Sequence, residues 1–123
     1  MRALVLDDST VVRKVMGDIL SSLGFEVLEA GDGQQALEVL EEHGSVDVAM
    51  VDWNMPRMNG HEFLLAFRAL PEHADTRVVM VTTENEMDYV MKALDGGANE
   101  YVMKPFDKEV ILDKLGLIGL IDV

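Results

Sequence analysis

Six residues of this chain concentrate its chemistry: the adjacent acids Asp7 and Asp8, the lone Asp52, the hydroxyl pair Thr82-Thr83, and Lys104. Carboxylates brought within about 4 Å repel by roughly 1–4 kcal/mol at effective dielectrics of 80 to 20. A fold that gathers Asp7, Asp8 and Asp52 therefore needs something to compensate them. A divalent cation does this, and hard carboxylate oxygens suit Mg2+, which keeps several waters and takes one or two protein carboxylates alongside phosphate oxygens. At such a site the Thr82 hydroxyl can donate to a phosphate oxygen, and the Lys104 ammonium can pair with an aspartate or a phosphoryl group. Pro105 restricts Lys104 to extended backbone and permits a cis bond in a tight turn.

Each residue also has a plainer reading. Asp8 precedes a helix and would cap it, although Ser9 or Thr10 would cap equally well. Threonine is common in strands, and Lys104 alone reads as a surface lysine. Position separates the group from that background. Each member lies just past a short apolar, strand-like run: Ala3–Leu6, Val46–Val51, Val78–Val81 and Tyr101–Met103. In open α/β sheets, ligands bind at the carboxyl ends of strands, where strand order reverses.

The rest of the chain supplies the elements that hold these ends together. Glu26–Ala30 adds a fifth strand-like run. Helical spacing marks Val11–Leu23 before Gly24, Gln34–Glu42 before Gly44, His61–Ala69 before Pro71, and the chain from Asp107 on. Met87, Val90, Met91 and Leu94 follow the i, i+3, i+4, i+7 pattern, closed by Gly96-Gly97. Five alternations predict an α/β fold: a parallel five-stranded sheet covered on both faces, as one doubly wound (βα)5 domain over residues 1–123. Asn54, Met55 and Pro56 form the loop after Asp52, and the Asn54 backbone carbonyl is placed to be a further cation ligand. Gly60 after Asn59 reads as a turn that needs positive φ. His43, His61 and His73 have no metal spacing and read as surface residues.

Composition narrows the classes. At 123 residues with 49% hydrophobic content the chain can build one real core. It has no cysteine, which excludes disulfides and thiolate metal sites. No apolar run approaches a membrane span, and no signal-peptide pattern opens the chain, so the expectation is cytoplasmic. A formal net charge of −13 repels phosphate backbones, so no nucleic acid is expected as a partner.

The motifs themselves are those of a known family. The chain resembles response-regulator receiver domains, most closely the stand-alone chemotaxis type, through L-D-D-S at Leu6–Ser9, V-D-W-N-M-P at Val51–Pro56, M-N-G at Met58–Gly60, V-T-T-E at Val81–Glu84, G-A-N-E-Y at Gly97–Tyr101 and K-P-F at Lys104–Phe106. These cover essentially the whole chain in order. The chemotaxis type often has an aromatic where this chain has Ser9, and a smaller residue where it has Thr83.

The resemblance implies a flavodoxin-like sheet of order 2-1-3-4-5. It implies Asp52 as the phosphoacceptor toward the phosphohistidine of a sensor histidine kinase. Asp7, Asp8, Asp52 and the Asn54 carbonyl become the Mg2+ ligands, Lys104 the phosphoryl contact, Thr82 the switch hydroxyl, and Tyr101 the aromatic that follows it. The implied protein is a signalling switch that catalyses only its own phosphorylation and dephosphorylation. Its output face would be the fourth helix, last strand and last helix, toward a target such as a flagellar motor switch, with a phosphatase as a further partner. A phosphorelay shuttle and a receiver cut from a larger regulator are the alternatives. A Mg2+-dependent phosphohydrolase would want an acid where Asn54 stands, and an FMN phosphate would be repelled by Asp7-Asp8.

Two apolar surfaces remain. Val11, Val12, Val15, Met16, Ile19, Leu20 and Leu23 cover about half of the first helix, more than one packed face needs. Val11 and Val15 are either buried under a loop or available to dock the kinase's phosphohistidine domain. The last helix is apolar nearly all round, from Val110 to Ile121. Gly116 and Gly119 weaken it by roughly 1 kcal/mol each, so its end folds back as a tail, or its outward residues join Tyr101 and Tyr89–Lys92 in a partner or weak dimer patch.

Overall fold

The computed structural model describes residues 1–55, 58–83 and 90–121; Pro56, Glu84, Met87 and Tyr89, which carry several of the expectations above, lie outside the described residues. Five strands alternate with helices: β1 (Arg2–Leu6), α1 (Thr10–Ser22), β2 (Glu26–Ala30), α2 (Gly33–His43), β3 (Val48–Asp52), α3 (Gly60–Arg68), β4 (Arg77–Thr82), α4 (Val90–Asp95), β5 (Glu100–Met103) and α5 (Lys108–Leu117). A short 3-10 turn, Pro71–His73, precedes β4. All strand pairs are parallel, in the order β2-β1-β3-β4-β5. This is the doubly wound sheet expected from the alternation, with the strand order that the resemblance implied. No described helix is long and apolar enough to cross a membrane.

Side-chain parity along each strand divides the core into two halves. Leu4, Leu6, Ala49, Val51, Val78 and Met80 face α2 and α3, where Phe63, Leu64 and Phe67 fill the space. Ala3, Val5, Val48, Met50, Val79, Val81 and Val102 face α1 and α5, meeting Met16, Leu20, Ile111 and Leu115. All five residues of β3 are buried, as a central strand covered on both faces requires. β2 lies at the sheet edge and keeps Glu26 and Glu29 in solvent.

Several boundaries differ from the sequence expectation, and each has a local cause. β3 starts at Val48 rather than Val46 because Asp47 is occupied in closing the turn: its Oδ2 accepts from Arg2 N at 2.7 Å and its carbonyl from Arg77 N at 3.0 Å. Asp52 and Thr82 are the last residues of their strands, not the first beyond them. His73 is not a surface residue: it is buried, its ring stacked 4.7 Å from Phe67 and its Nδ1 3.0 Å from Ser45 Oγ. His61 is half-buried against Trp53, at 5.5 Å between ring centroids, while His43 is exposed.

The end of the chain folds back. Gly119 takes φ +79°, Leu120 N donates to Leu115 O at 3.0 Å, and Gly119 N donates to Gly116 O at 3.1 Å. This is a Schellman cap. It delivers Ile118, Leu120 and Ile121 onto the α1–α5 half of the core. Leu120 and Ile121 therefore pack inward and do not face outward as a partner patch would need. Leu117 remains 72% exposed and Met91 66%.

Candidate functional site

The fold brings the carboxyl ends of β1, β3 and β5 together. Asp7 follows β1, Asp52 ends β3, and Lys104 follows β5. A carboxylate oxygen from each of Asp7, Asp8 and Asp52 lies within 4.8 Å of the others. Asp7 and Asp52 are buried, and Asp8 is exposed toward solvent. Lys104 Nζ bridges the two buried acids, 3.1 Å from Asp7 Oδ2 and 3.1 Å from Asp52 Oδ1. The Lys104–Pro105 bond is cis.

Local hydrogen bonds fix each group. Asp7 N donates to Ala30 O at 3.1 Å, and Asp7 Oδ1 accepts from Ser9 N at 2.8 Å. Ser9, not Asp8, caps α1, accepting from Val12 N at 3.2 Å, so Asp8 is released from capping and belongs to the acid cluster. Lys104 N donates to Thr82 O at 2.7 Å and Trp53 N to Val81 O at 3.0 Å, which ties the β3, β4 and β5 ends to one another.

Gly60 matters for a reason different from the expected turn. Its φ is not in the left-handed region; it is the first residue of α3, and a Cβ there would stand 2.2 Å from the Asp52 carbonyl oxygen. Glycine is needed so that α3 can close over the backbone of Asp52. Asn59 caps that helix in a reciprocal box with Glu62. Sequence reading missed this close approach, because a glycine after Asn looks the same in a turn and in a tight helix start.

The electrostatics follow from the packing. Burial, then the charge of Asp7, pushes Asp52 up to about 6, with Asp8 adding to the rise and Lys104 opposing it. For Lys104, burial favours the neutral amine, but the hydrogen bond and charge of Asp52, followed by Asp7, outweigh it and leave the ammonium above its usual value. Three carboxylates facing one ammonium leave the pocket under-compensated. That donor set fits a hard divalent cation, with oxygen ligands on one side open to water through Asp8. Asn54 lies exposed two residues beyond Asp52.

Thr82 is fully buried, and its Oγ1 meets no hydrogen-bond partner among the described residues. Strand pairing sets Met80 opposite Tyr101 and Thr82 opposite Met103, so Thr82 and Tyr101 project to the same face of the sheet. Tyr101 is half-buried against the core there, and Thr83, the residue after β4, is half-buried. Asp52 pairs with Val81 and projects to the other face. On that side Val11, Val12, Val15, Lys104, Pro105 and Phe106 line an open apolar groove of about 380 Å3. Val11 is 71% exposed and Val15 46%, so neither lies under a loop.

Known proteins share the sequence pattern and the fold of this chain. Residues 3–116 match the family model described as response regulator receiver domain. A "Chemotaxis protein CheY homolog" of Campylobacter jejuni is 41% identical over 116 residues, covering 94% of this chain and 89% of that one. "Chemotaxis protein CheY1" of Helicobacter pylori is 40% identical over 119 residues, covering 96% of each. The crystal structure of Vibrio cholerae chemotaxis protein CheY4 superposes with a TM-score of 0.88 at 33% identity, covering 95% of this chain and 97% of that one.

Proposed function

The chain belongs to the response-regulator receiver family and is a two-component signalling protein of the chemotaxis kind, and on that premise we propose that Asp52 is its phosphoacceptor. The observation that carries this assignment is the bridge from Lys104 to both buried acids. It leaves a carboxylate at a strand end, beside an ammonium that can follow negative charge from the carboxylate to an arriving phosphoryl group.

In the reaction, an oxygen of Asp52 attacks phosphorus, the P–N bond of the donor phosphohistidine breaks, and the imidazole leaves with the bonding pair. Asp7, Asp8, Asp52 and the Asn54 carbonyl would hold Mg2+, which, when bound, neutralises charge on the transferring oxygens. Lys104 then pairs with a phosphoryl oxygen, and Thr82 Oγ1 donates to another. That donation gives the buried hydroxyl a strong acceptor and draws Thr82 away from the space beside Tyr101. One such bond supplies about 1.5–3 kcal/mol, whereas a swing from 1:99 to 99:1 needs about 5.5 kcal/mol. Lys104 and the loop after Thr83 share the remainder, or a partner supplies it.

The donor is a sensor histidine kinase, and its phosphohistidine domain docks on the exposed Val11–Val15 side of the apolar groove that runs up to Lys104. Output leaves through α4, β5 and α5, where Met91 of α4 and Leu117 of α5 are exposed.

Acetyl phosphate tests the acceptor. With Mg2+ present, intact-protein mass spectrometry should show one added phosphoryl group, lost in the Asp52→Asn variant and on Mg2+ removal. Labelling of Asp52→Asn at the wild-type rate would move the acceptor elsewhere. Val11→Lys should slow transfer from the kinase while acetyl phosphate labelling stays intact; equal loss with both donors would mean misfolding instead of lost docking.

A further inference from the structure

The site as described leaves one charged group unused. Arg13, in the second turn of α1, reaches back toward the end of β1. Its Nη1 donates to the backbone carbonyl of Asp7 at 2.6 Å. Its Nη2 donates to Thr10 Oγ1 at 3.3 Å, and its Nε lies 3.4 Å from Glu29 Oε1 on β2. The Arg13 side chain is 18% exposed, against 53% for Glu29. Among the described residues, Glu29 is the carboxylate it pairs with, so its charge is not spent on the three acids of the cluster.

The carbonyl it holds belongs to the peptide that joins Asp7 to Asp8. That peptide is planar, so a guanidinium on its oxygen sets the plane from which both carboxylates project. The other side of Asp7 is already fixed, through its N–H to Ala30 O at 3.1 Å. Both restraints come from the β2 side: Ala30 directly, and Glu29 through Arg13. Glu29 stands opposite Val5 and Ala30 opposite Leu6, so the anchor sits in register with the last residues of β1. A charge-assisted bond to a carbonyl, with the donor itself held at two further atoms, resists rotation more than a neutral one.

We propose that Arg13 is a positioning residue that fixes the relative orientation of the Asp7 and Asp8 carboxylates for cation binding, with Glu29 as its anchor. This rests on the reading of Asp7, Asp8 and Asp52 as the Mg2+ site. Groups that orient metal ligands typically contribute about 10–100-fold to metal affinity.

The test titrates the full chain with Mg2+ alone by calorimetry, for the wild type, Arg13→Met, Arg13→Lys and Asp8→Ala, with thermal unfolding of each. The amide proton of Ser9, which donates to Asp7 Oδ1 at 2.8 Å, serves as a local NMR reporter of that carboxylate. Arg13→Met should weaken Mg2+ binding about tenfold and move the Ser9 amide resonance. Arg13→Lys should recover part of both, since one ammonium still reaches the carbonyl. An Arg13→Met variant that loses thermal stability but keeps its Mg2+ affinity within twofold and its Ser9 resonance in place would make Arg13 a mere staple of α1 and overturn the proposal. Asp8→Ala separates the two readings: lost affinity there with unchanged affinity in Arg13→Met sinks Arg13 alone, whereas unchanged affinity in Asp8→Ala sinks the metal site and the proposal with it. Should Arg13→Met fail to fold, Glu29→Met leaves the guanidinium but removes its anchor. A smaller loss in the same direction then supports the proposal, and wild-type affinity overturns it.

Discussion

Asp7 and Thr82 stand at the same end of the sheet, both almost fully buried, and they are wired in opposite ways. Asp7 is held at its amide, its carbonyl and both carboxylate oxygens. Thr82 Oγ1 meets no partner among the described residues. Buried hydroxyls are normally paired, and an unpaired one costs about 1–3 kcal/mol. On the proposed function, the difference separates two kinds of work. A cation and phosphoryl site needs groups already in place, because any reorganisation would be added to the barrier. A switch needs a bond not yet made, whose formation on arrival of an acceptor shifts an equilibrium.

The largest effect is expected where the pre-built region is tightest. Gly60→Ala places a Cβ 2.2 Å from the Asp52 carbonyl oxygen and 2.9 Å from Trp53 Cα. Backbone cannot yield as a flexible side chain does, so the variant should lose about 3 kcal/mol or more of stability. Urea unfolding measures it. A loss under 1 kcal/mol would show that α3 slides freely over β3, and the acid pocket would then not be rigid.

Charge gives the next effect. Asp52 ionises near 3.8 ordinarily and at about 6 in the fold. Between those values the folded chain keeps a proton that the unfolded chain releases, so stability falls as pH rises from about 4 to 6 and stays reduced above. The loss is on the order of 2–3 kcal/mol. Asp52→Asn removes it: the variant should be more stable than the wild type at pH 8 by that order, and flatter between pH 4 and 6. Mg2+ should stabilise the wild type more than the variant. Equal pH profiles for the two chains would mean that the three acids do not strain the pocket.

How much of this was legible in the sequence divides along the same line. The acids and Lys104 could be found because apolar runs mark strands and the residue after a strand end is placed by topology alone. Thr82 and Tyr101 could be paired only through the resemblance, since their shared face depends on the register Met80 opposite Tyr101. Gly60 was visible as a glycine but not as a close approach, because backbone proximity across a loop leaves no pattern. His73 misled for a related reason: its burial comes from stacking on Phe67 after a 3-10 turn, not from any periodicity. Arg13 sits on a half-polar helix face and reads as solvated until the carbonyl it holds is seen. The last helix was ambiguous between a frayed tail and an outward patch, and the cap at Gly119 decided it.

In the poised region the expected effect is smaller. Thr82→Val keeps shape and removes a hydroxyl that meets no partner among the described residues, so stability should rise by about 1 kcal/mol. The stabilisation by beryllofluoride, a phosphoryl mimic, should fall by a similar amount, because the variant cannot make the new bond. A Val variant less stable than the wild type would show that the hydroxyl is already paired, and the contrast with Asp7 would collapse.

The smallest effect tests whether the two regions are independent. Lys114 Nζ lies 4.5 Å from the Tyr101 ring centroid and 3.3 Å from Glu100 Oε1, and the same Glu100 oxygen accepts from Tyr101 N at 3.0 Å. The lysine therefore holds the ring by its face while Glu100 holds the lysine. A partly exposed cation–π contact contributes about 0.5–1 kcal/mol, which corresponds to a two- to fivefold population change between two ring rotamers. Lys114→Met, which keeps the stem and loses the charge, should shift the Tyr101 ring resonances toward their beryllofluoride-bound positions by that fraction. Glu100→Gln should do the same more weakly. Mg2+ affinity should not change in either variant, because no contact of Lys114 or Glu100 among the described residues reaches Asp7, Asp8 or Asp52. Unmoved ring resonances would mean that packing beside Met80, not the lysine, sets the rotamer. Altered Mg2+ affinity would mean that the poised face and the pre-built pocket are coupled even before phosphorylation, so that the ring already reports to the acids at rest.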